Sequence, residues 1–197
     1  METRTAEEKK ERRKAMCARL EAYFSRSDGK IDSALAARKI LERDEFKSAE
    51  VVLAFLAARN EIDCGLVLDV ALVAGKTVAV PKVVSRTEIA FFVLNPNAPL
   101  DEQVESGAFG IREPVAGLLP FEAERHARES VFAVVPGLSF TERGERLGRG
   151  GGFYDRFIRK LRSSGANVFC SGLCFPFQIA PSLPTDGTDE RVDCVAW

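Results

Sequence analysis

The sequence predicts an α/β protein with a largely parallel sheet flanked by helices. Two observations carry the prediction. Apolar runs alternate along the chain with segments of helical period, and those runs are continuously apolar, as in strands buried on both faces. The 197 residues show no internal repeat or linker, so residues 1–197 are expected to form a single domain around one substantial core.

Each element has its own signal. Residues 5–25 place Met16, Leu20 and Phe24 on one helical stripe. Lys9 and Arg13 continue that stripe and are therefore expected to face the protein body. A second helix is expected through "SALAARKILERDEF" (33–46), with Asp32 or Ser33 capping its start. "AEVVLAFLA" (49–57) reads as a buried strand, and "CGLVLDVALVAGK" (64–76) as a helix closed by Gly75. "TVAVPKVV" and "EIAFFVLN" read as strands. Residues 96–130 are rich in Pro, Gly and charge and have little period, with one short helix expected near 121–128. "VFAVVPGLSF" (131–140) is the expected central strand. "YDRFIRKLRSSG" (154–165) is a helix with Phe157, Ile158 and Leu161 on one face, followed by strands at "NVFCSGLCF" and "RVDCVAW".

Composition narrows the chemistry. A net charge of −1 argues against a general nucleic-acid binder. No apolar run approaches the ~20 residues that cross a bilayer. The charged start "METRTAEEKKERRKAM" lacks the apolar core of a signal peptide, so no membrane partner and a cytoplasmic location are expected. The five cysteines are odd in number and form no CxxC pair, which suggests free buried thiols and no zinc or disulfide framework. His126 is the only histidine and lies in a polar segment. Any chemistry must therefore rest on Arg, Lys, Asp and Glu.

Those residue types gather in "GERLGRGGGFYDRF" (144–157), which holds five glycines and three arginines. The stretch fits neither the P-loop nor the GxGxxG pattern. It follows a strand and precedes a helix, the position where open α/β sheets bind ligands. Consecutive glycines let backbone N–H groups converge, and the next helix directs its positive end to the same place. Arg146 and Arg149 can add bidentate contacts to phosphate. Asp155 suits a Mg²⁺ accompanying a nucleotide. The plainer alternative is a flexible loop with solvated arginines and Asp155 as a helix-start residue. For Lys9 and Arg13 the alternative is likewise a solvated charge cluster.

With these residues in place the chain resembles the 5-formyltetrahydrofolate cyclo-ligase (methenyltetrahydrofolate synthetase) family. The signature reads here "PGLSFTERGERLGRGGGFYDR", residues 136–156, and the Lys-x-x-x-Arg pair of the first helix is Lys9 and Arg13. The likeness continues through "FLAARNEI" (55–62), "GIREP" (110–114) and "LPTDGTDERVD" (183–193), so it spans nearly the whole chain. It implies a Rossmann-like three-layer fold of the phosphosugar-isomerase/CoA-transferase-like type. It further implies that Lys9, Arg13, Arg146 and Gly148 to Tyr154 hold ATP, and that Leu56 and Glu61 contact a reduced folate. Arg149, Gly150, Gly151, Gly152 and Phe153 would lie between the two ligands, with Asp155 and Asp189 on Mg²⁺. Arg146, Arg149 and Tyr154 would be catalytic, and the protein a monomer or a weakly associating homodimer.

Three positions depart from the family pattern: Thr141 stands where Asp is usual, Thr188 where His is frequent, and Cys64 where Thr is common. The implied reaction is ATP-dependent closure of 5-formyltetrahydrofolate to 5,10-methenyltetrahydrofolate. A folate- or nucleotide-binding homologue without turnover and a phosphosugar-handling enzyme on a related scaffold are the alternatives. The register of the first helix makes its own prediction. Replacing Lys9 or Arg13 by Ala is expected to weaken nucleotide use, while Lys10→Ala and Arg12→Ala, on other faces, are tolerated. Nucleotide titrations of the four variants check this, and equal tolerance would reduce the cluster to a solvated face.

Overall fold

In the computed structural model, which describes residues 2–107 and 110–197, strand β1 (Val51–Leu53) is buried along its whole length and a six-stranded sheet grows from both its edges. On one side lie β2 (Thr77–Val83) and β3 (Ile89–Val93). On the other lie β6 (Ser130–Val135), β9 (Asn167–Leu173) and β10 (Cys194–Ala196), giving the order β10-β9-β6-β1-β2-β3. Every pairing is parallel except that of β2 with β3. The architecture is therefore the expected α/β arrangement with one antiparallel edge strand.

The two faces of the sheet explain the continuous apolar runs. Val52, Val78, Val80, Phe132 and Val134 pack with Met16 and Leu20 of α1 (Glu2–Phe24) and with Ala36, Ala37 and Ile40 of α2 (Lys30–Leu41). Val67, Leu68 and Ala71 of α4 (Gly65–Val73) complete that layer. On the opposite face Val51, Leu53, Val131 and Ala133 meet Ile158 and Leu161 of α6 (Phe153–Ser163). The rings of Phe91 and Phe157 stack there at 4.4 Å. Both faces are dry, so alternation in polarity has no place in these strands.

Several expected boundaries shift for tertiary reasons. Helix α2 begins at Lys30, after Gly29 at φ 69°, and has no side-chain cap. Asp32 instead accepts a hydrogen bond from the Tyr23 hydroxyl, and the Ser33 hydroxyl accepts the Asp63 N–H at 3.1 Å. The helix stops at Leu41 because Arg43 turns extended, placing its guanidinium over the Phe169 ring at 5.1 Å. The short α3 (Asp44–Ser48) then drives Phe46 edge-on against Phe132. The run at 49–57 pairs only over Val51–Leu53, although Ala54, Phe55 and Leu56 remain buried as they leave the sheet.

The run at 131–140 also divides. Pro136 offers no N–H to the ladder, β6 ends at Val135, and Ser139–Phe140 (β7) pairs instead with Arg146–Leu147 (β8). Residues 96–130 hold more structure than expected. They contain α5 (Leu100–Gln103) and an antiparallel pair of β4 (Val104–Ser106) with β5 (Arg112–Pro114). A 3₁₀ turn at Ala123–His126 replaces the expected helix near 121–128. The buried Gln103 amide organises this region by donating to the carbonyls of Asn95 (3.0 Å) and Ala98 (2.9 Å) while accepting the Asn95 N–H. His126 stacks on Phe121, a packing role. Cys64, Cys170 and Cys174 are buried thiols as expected, but Cys17 is exposed. Burial pushes Cys170 and Cys174 up to about 12, so both stay protonated.

The β7–β8 turn is fastened to the C-terminal segment at Gly144, whose carbonyl accepts the Val192 N–H at 2.9 Å. Gly144 sits at φ +83°, and a Cβ there would lie 2.0 Å from the Val192 carbonyl oxygen. Gly117, at φ +97°, has nothing within 4 Å. Gly144→Ala should therefore destabilise by more than the roughly 1–2 kcal/mol that a left-handed backbone costs an L-residue, and Gly117→Ala by no more than that. Denaturant midpoints of the two variants check the contrast.

Candidate active site

The strand order changes direction between β1 and β6, because β2 lies to one side of β1 and β6 to the other. A crevice opens at the carboxyl ends of strands at such a point. Two segments enter it, residues 54–62 after β1 and the β7–β8 hairpin with its glycine loop after β6. They meet where Arg149 Nη2 approaches Glu61 Oε1 at 3.3 Å. Asn60, in the left-handed region at φ 58°, turns the backbone just before Glu61. The Ala58 N–H then fixes the other Glu61 oxygen at 2.9 Å. Arg149 is half-exposed, so its guanidinium spans the mouth of the crevice. Leu56 lies in the core at 4% exposure and borders the crevice through the backbone that follows it.

The glycine loop has an unusual hydrogen-bond pattern. Arg13 Nε donates to the Gly148 carbonyl at 2.9 Å, and Arg156 Nη2 donates to the Gly151 carbonyl at 2.6 Å. Arg156 also holds the Thr87 carbonyl, tying the loop to the β2–β3 turn. Gly150 at φ 106° and Gly152 at φ 66° supply the turns, and Gly152 caps α6 without a side-chain acceptor. Among the described residues, the N–H groups of Gly148, Arg149, Gly150, Gly151 and Gly152 have no protein acceptor. Five consecutive donors at the positive end of an 11-residue helix are suited to an anion.

Arg146 lies beneath this loop, only 5% exposed. Its Nη2 donates to Asp155 Oδ1 at 2.6 Å and its Nη1 to the Pro136 carbonyl at 3.3 Å, while the buried Nε has no partner among the described residues. The guanidinium also faces the Tyr154 ring, 5.9 Å from its centroid. Burial, then the charge of Glu61, push the Tyr154 phenol well above its usual range. At neutral pH Tyr154 therefore stays protonated and cannot serve as a base.

Lys9, expected to face the body, is 6% exposed. Its Nζ lies 2.6 Å from Asp186 Oδ2 and 2.6 Å from Asp189 Oδ2. By contrast, Lys10 is exposed beside Glu7, and Arg12 runs along the surface to Glu8 and the Ser182 carbonyl. Asp189 is brought beside Asp155 by the Glu190 N–H, which donates to Asp155 Oδ1 at 3.2 Å. Each aspartate thus has one oxygen engaged, leaving Asp155 Oδ2 and Asp189 Oδ1 without hydrogen-bond partners among the described residues. Two open carboxylate oxygens beside an anion site suit Mg²⁺, which takes one or two carboxylates and completes its shell with phosphate and water. No group of three or more His, Cys, Asp or Glu side chains among the described residues could hold a metal alone.

Asp186 carries no signal in the sequence beyond one acid in a polar segment, because its partner lies 177 residues away. Arg159 and Arg162 are similar: they anchor the segment through Glu190, the Thr188 carbonyl and Asp193. The three departures acquire local roles. Thr141 Oγ1 accepts the Glu145 N–H at 3.1 Å, which an aspartate would also do. The Cys64 thiol donates to the Phe55 carbonyl at 2.7 Å, the task of a threonine hydroxyl. Thr188 donates its hydroxyl to Asp186 Oδ1 at 2.5 Å. Beyond Phe153, a cavity of about 320 Å³ runs between β3 and α6, lined by Phe91, Phe121, Phe153 and Phe157 with Arg156 and Lys160.

The chain is similar to known proteins over most of its length. The sequence model of the 5-formyltetrahydrofolate cyclo-ligase family matches residues 5–197. A probable 5-formyltetrahydrofolate cyclo-ligase of Schizosaccharomyces pombe is 28% identical over 80% of this chain and 79% of its own. The 5-formyltetrahydrofolate cyclo-ligase of Mus musculus is 24% identical over 84% of this chain and 81% of its own. The solved structure of Aquifex aeolicus 5,10-methenyltetrahydrofolate synthetase superposes with a TM-score of 0.73 at 28% identity, covering 95% of this chain and 88% of that one.

The clasp at Lys9 makes the site pH-dependent. The Lys9 hydrogen bond, then those from Thr188, hold the Asp186 carboxyl well below the usual carboxylate range. A depressed folded pKa contributes stability above the unfolded value of about 3.9 that is lost as pH falls below it. Although burial alone would lower it, Lys9 is raised by its two carboxylates, so its share persists until the pH passes the ordinary lysine range. Asp186→Asn is thus expected to lower the melting temperature by a constant amount from about pH 5 to 9, and by less and less below about pH 4. Thermal melts against pH check this, and a difference independent of acid would remove the ion pair from the explanation.

Proposed function

The chain belongs to the 5-formyltetrahydrofolate cyclo-ligase family, and from that premise we propose that it forms 5,10-methenyltetrahydrofolate from 5-formyltetrahydrofolate and ATP, releasing ADP and phosphate. The observation that carries this reading is the run of acceptor-free amides from Gly148 to Gly152, set between the two open aspartates and the Arg149–Glu61 pair. Such a site binds phosphates without histidine or a covalent nucleophile, which is what phosphoryl transfer requires.

The formyl oxygen of the folate is a poor leaving group. It attacks the terminal phosphorus of ATP, the bond to the ADP oxygen breaks, and an iminium phosphate forms. The nitrogen at position 10 then attacks the formyl carbon and loses its proton. The carbon–oxygen bond breaks, and phosphate departs as the ring closes. Backbone amides of the loop hold the phosphates, with Arg13 keeping the loop in register through Gly148. Buried Arg146 fixes Asp155 and the start of α6 through its 2.6 Å contact, so its part is positional. Mg²⁺ on Asp155 and Asp189 would supply neutralisation of the phosphate charge.

Glu61 presents a carboxylate already ordered by the Ala58 N–H, suited to parallel N–H donors such as those on a pterin edge. Once folate takes Glu61, Arg149 is released toward the transferring phosphoryl group. The Phe-lined cavity beyond Phe153 gives the aromatic part of the folate an apolar wall.

Arg149 separates an enzyme from a binder. Losing one donor to a developing charge costs about 10²–10³ in rate. Arg149→Ala is therefore expected to lower turnover by at least about a hundredfold while nucleotide binding weakens far less. Arg149→Lys is also impaired, because the charge remains without the fork. Single-turnover absorbance of methenyltetrahydrofolate, with and without ATP, is measured beside calorimetric nucleotide binding. Undiminished turnover in Arg149→Ala would overturn the role given to this residue, and an unmodified protein that binds both ligands without product would overturn the reaction.

A further inference from the structure

An ammonium and two carboxylates form a closed unit where the first helix meets the last loop. Lys9 Nζ sits at 2.6 Å from both Asp186 Oδ2 and Asp189 Oδ2, and the Asp186 N–H adds a 2.7 Å hydrogen bond to the same Asp189 oxygen. On the other side of the unit, Arg146 engages Asp155. The Lys9 ammonium occupies a position between acids that a metal ion would also favour.

We propose that Lys9 is the resident counter-ion of Asp189, exchanged for a divalent cation when nucleotide binds, and that Asp186 is the positioning residue that keeps the released ammonium beside the phosphates. This rests on the reading of Asp189 as a metal ligand. Three features carry it. Lys9 is 6% exposed, and an ammonium so enclosed is costly to leave without a counter-charge. Its contact to Asp189 Oδ2 sets a positive charge on the carboxylate whose open Oδ1 would take a hard cation, so the two charges oppose each other. Asp186 cannot readily turn away, since its Oδ1 holds both the N–H (2.9 Å) and hydroxyl (2.5 Å) of Thr188, which leaves Oδ2 aimed at Lys9. Phosphate oxygens arriving with the metal replace the charge that Asp189 withdraws, while Asp186 holds the ammonium in place.

The test uses Mn²⁺ as the probe, a divalent ion of the same oxygen preference, titrated into nucleotide-free protein and followed by electron paramagnetic resonance. Removing the competing charge should tighten Mn²⁺ binding at least about tenfold in Lys9→Met, while Lys9→Arg stays near the unmodified protein. If Lys9→Met does not melt cooperatively, Lys9→Gln is read in its place. Asp186→Asn should raise the KM for ATP more than it lowers kcat. Unchanged or weaker Mn²⁺ binding in the neutral Lys9 variants overturns the exchange, and an unchanged KM in Asp186→Asn overturns its positioning role. Asp189→Asn separates the premise: full Mn²⁺ binding and turnover in that variant would remove Asp189 as a ligand. Loss of both there, with no gain in Lys9→Met, refutes the exchange alone.

Discussion

Arg13 of α1 and Arg156 of α6 each hold a carbonyl of the glycine loop, at Gly148 and Gly151, and this fixes which way the intervening peptides face. With the carbonyls drawn to arginines, the N–H groups between them are left to the crevice. A flexible glycine run would average over many orientations and hold an anion poorly. Here the freedom of glycine is used to reach the conformation, and two guanidinium groups from outside the loop keep it there. The Arg149–Glu61 pair depends on the same constraint, since Arg149 is carried between the two fixed carbonyls.

Much of this was legible in sequence because it is local. The glycines, Arg149 and Asp155 lie within a few residues of one another, and the helix that follows them is announced by Phe157, Ile158 and Leu161. Lys9 and Arg13 were legible through register: the stripe ending at Met16 and Leu20 is buried, and so is Lys9. What the sequence hides is the orientation of long side chains. Arg146 reads as a phosphate ligand from composition, yet it lies under the loop against Asp155 and the Pro136 carbonyl. Asp186 reads as solvent-facing until the fold brings Lys9 to it. The β4–β5 pairing was likewise invisible, since its three-residue strands carry no period, and the buried Gln103 just before it is held by side-chain contacts to Asn95 and Ala98.

The departures from the family pattern illustrate how a hydrogen bond can be conserved in kind while its residue changes. Cys64 donates a thiol where a hydroxyl is common, and burial keeps that thiol well above its usual range, so it remains a donor. Thr141 supplies an acceptor to the Glu145 N–H without bringing a buried charge. Neither touches the loop amides or the aspartates. The binding-only alternative drew on Thr141 and Thr188, and here Thr141 keeps a local acceptor for the Glu145 N–H while Thr188 donates to Asp186.

The site is assembled from the two ends of the chain. Lys9 and Arg13 come from α1, Asp186 and Asp189 from the last loop, and their contacts bridge 135 to 180 residues. Contacts of such separation carry a large loop-closure cost, which the core layers between them must offset. They are also polar and lie at the edge of the core, so they add less to stability than the layers beneath Val52 and Val51. A ligand that engages α1, the loop and the aspartates together supplies what this periphery lacks, because anything that binds only the assembled state stabilises it by mass action. The architecture therefore divides the labour: a dry parallel sheet sets where the crevice lies, and polar contacts between the chain's two ends line its rim.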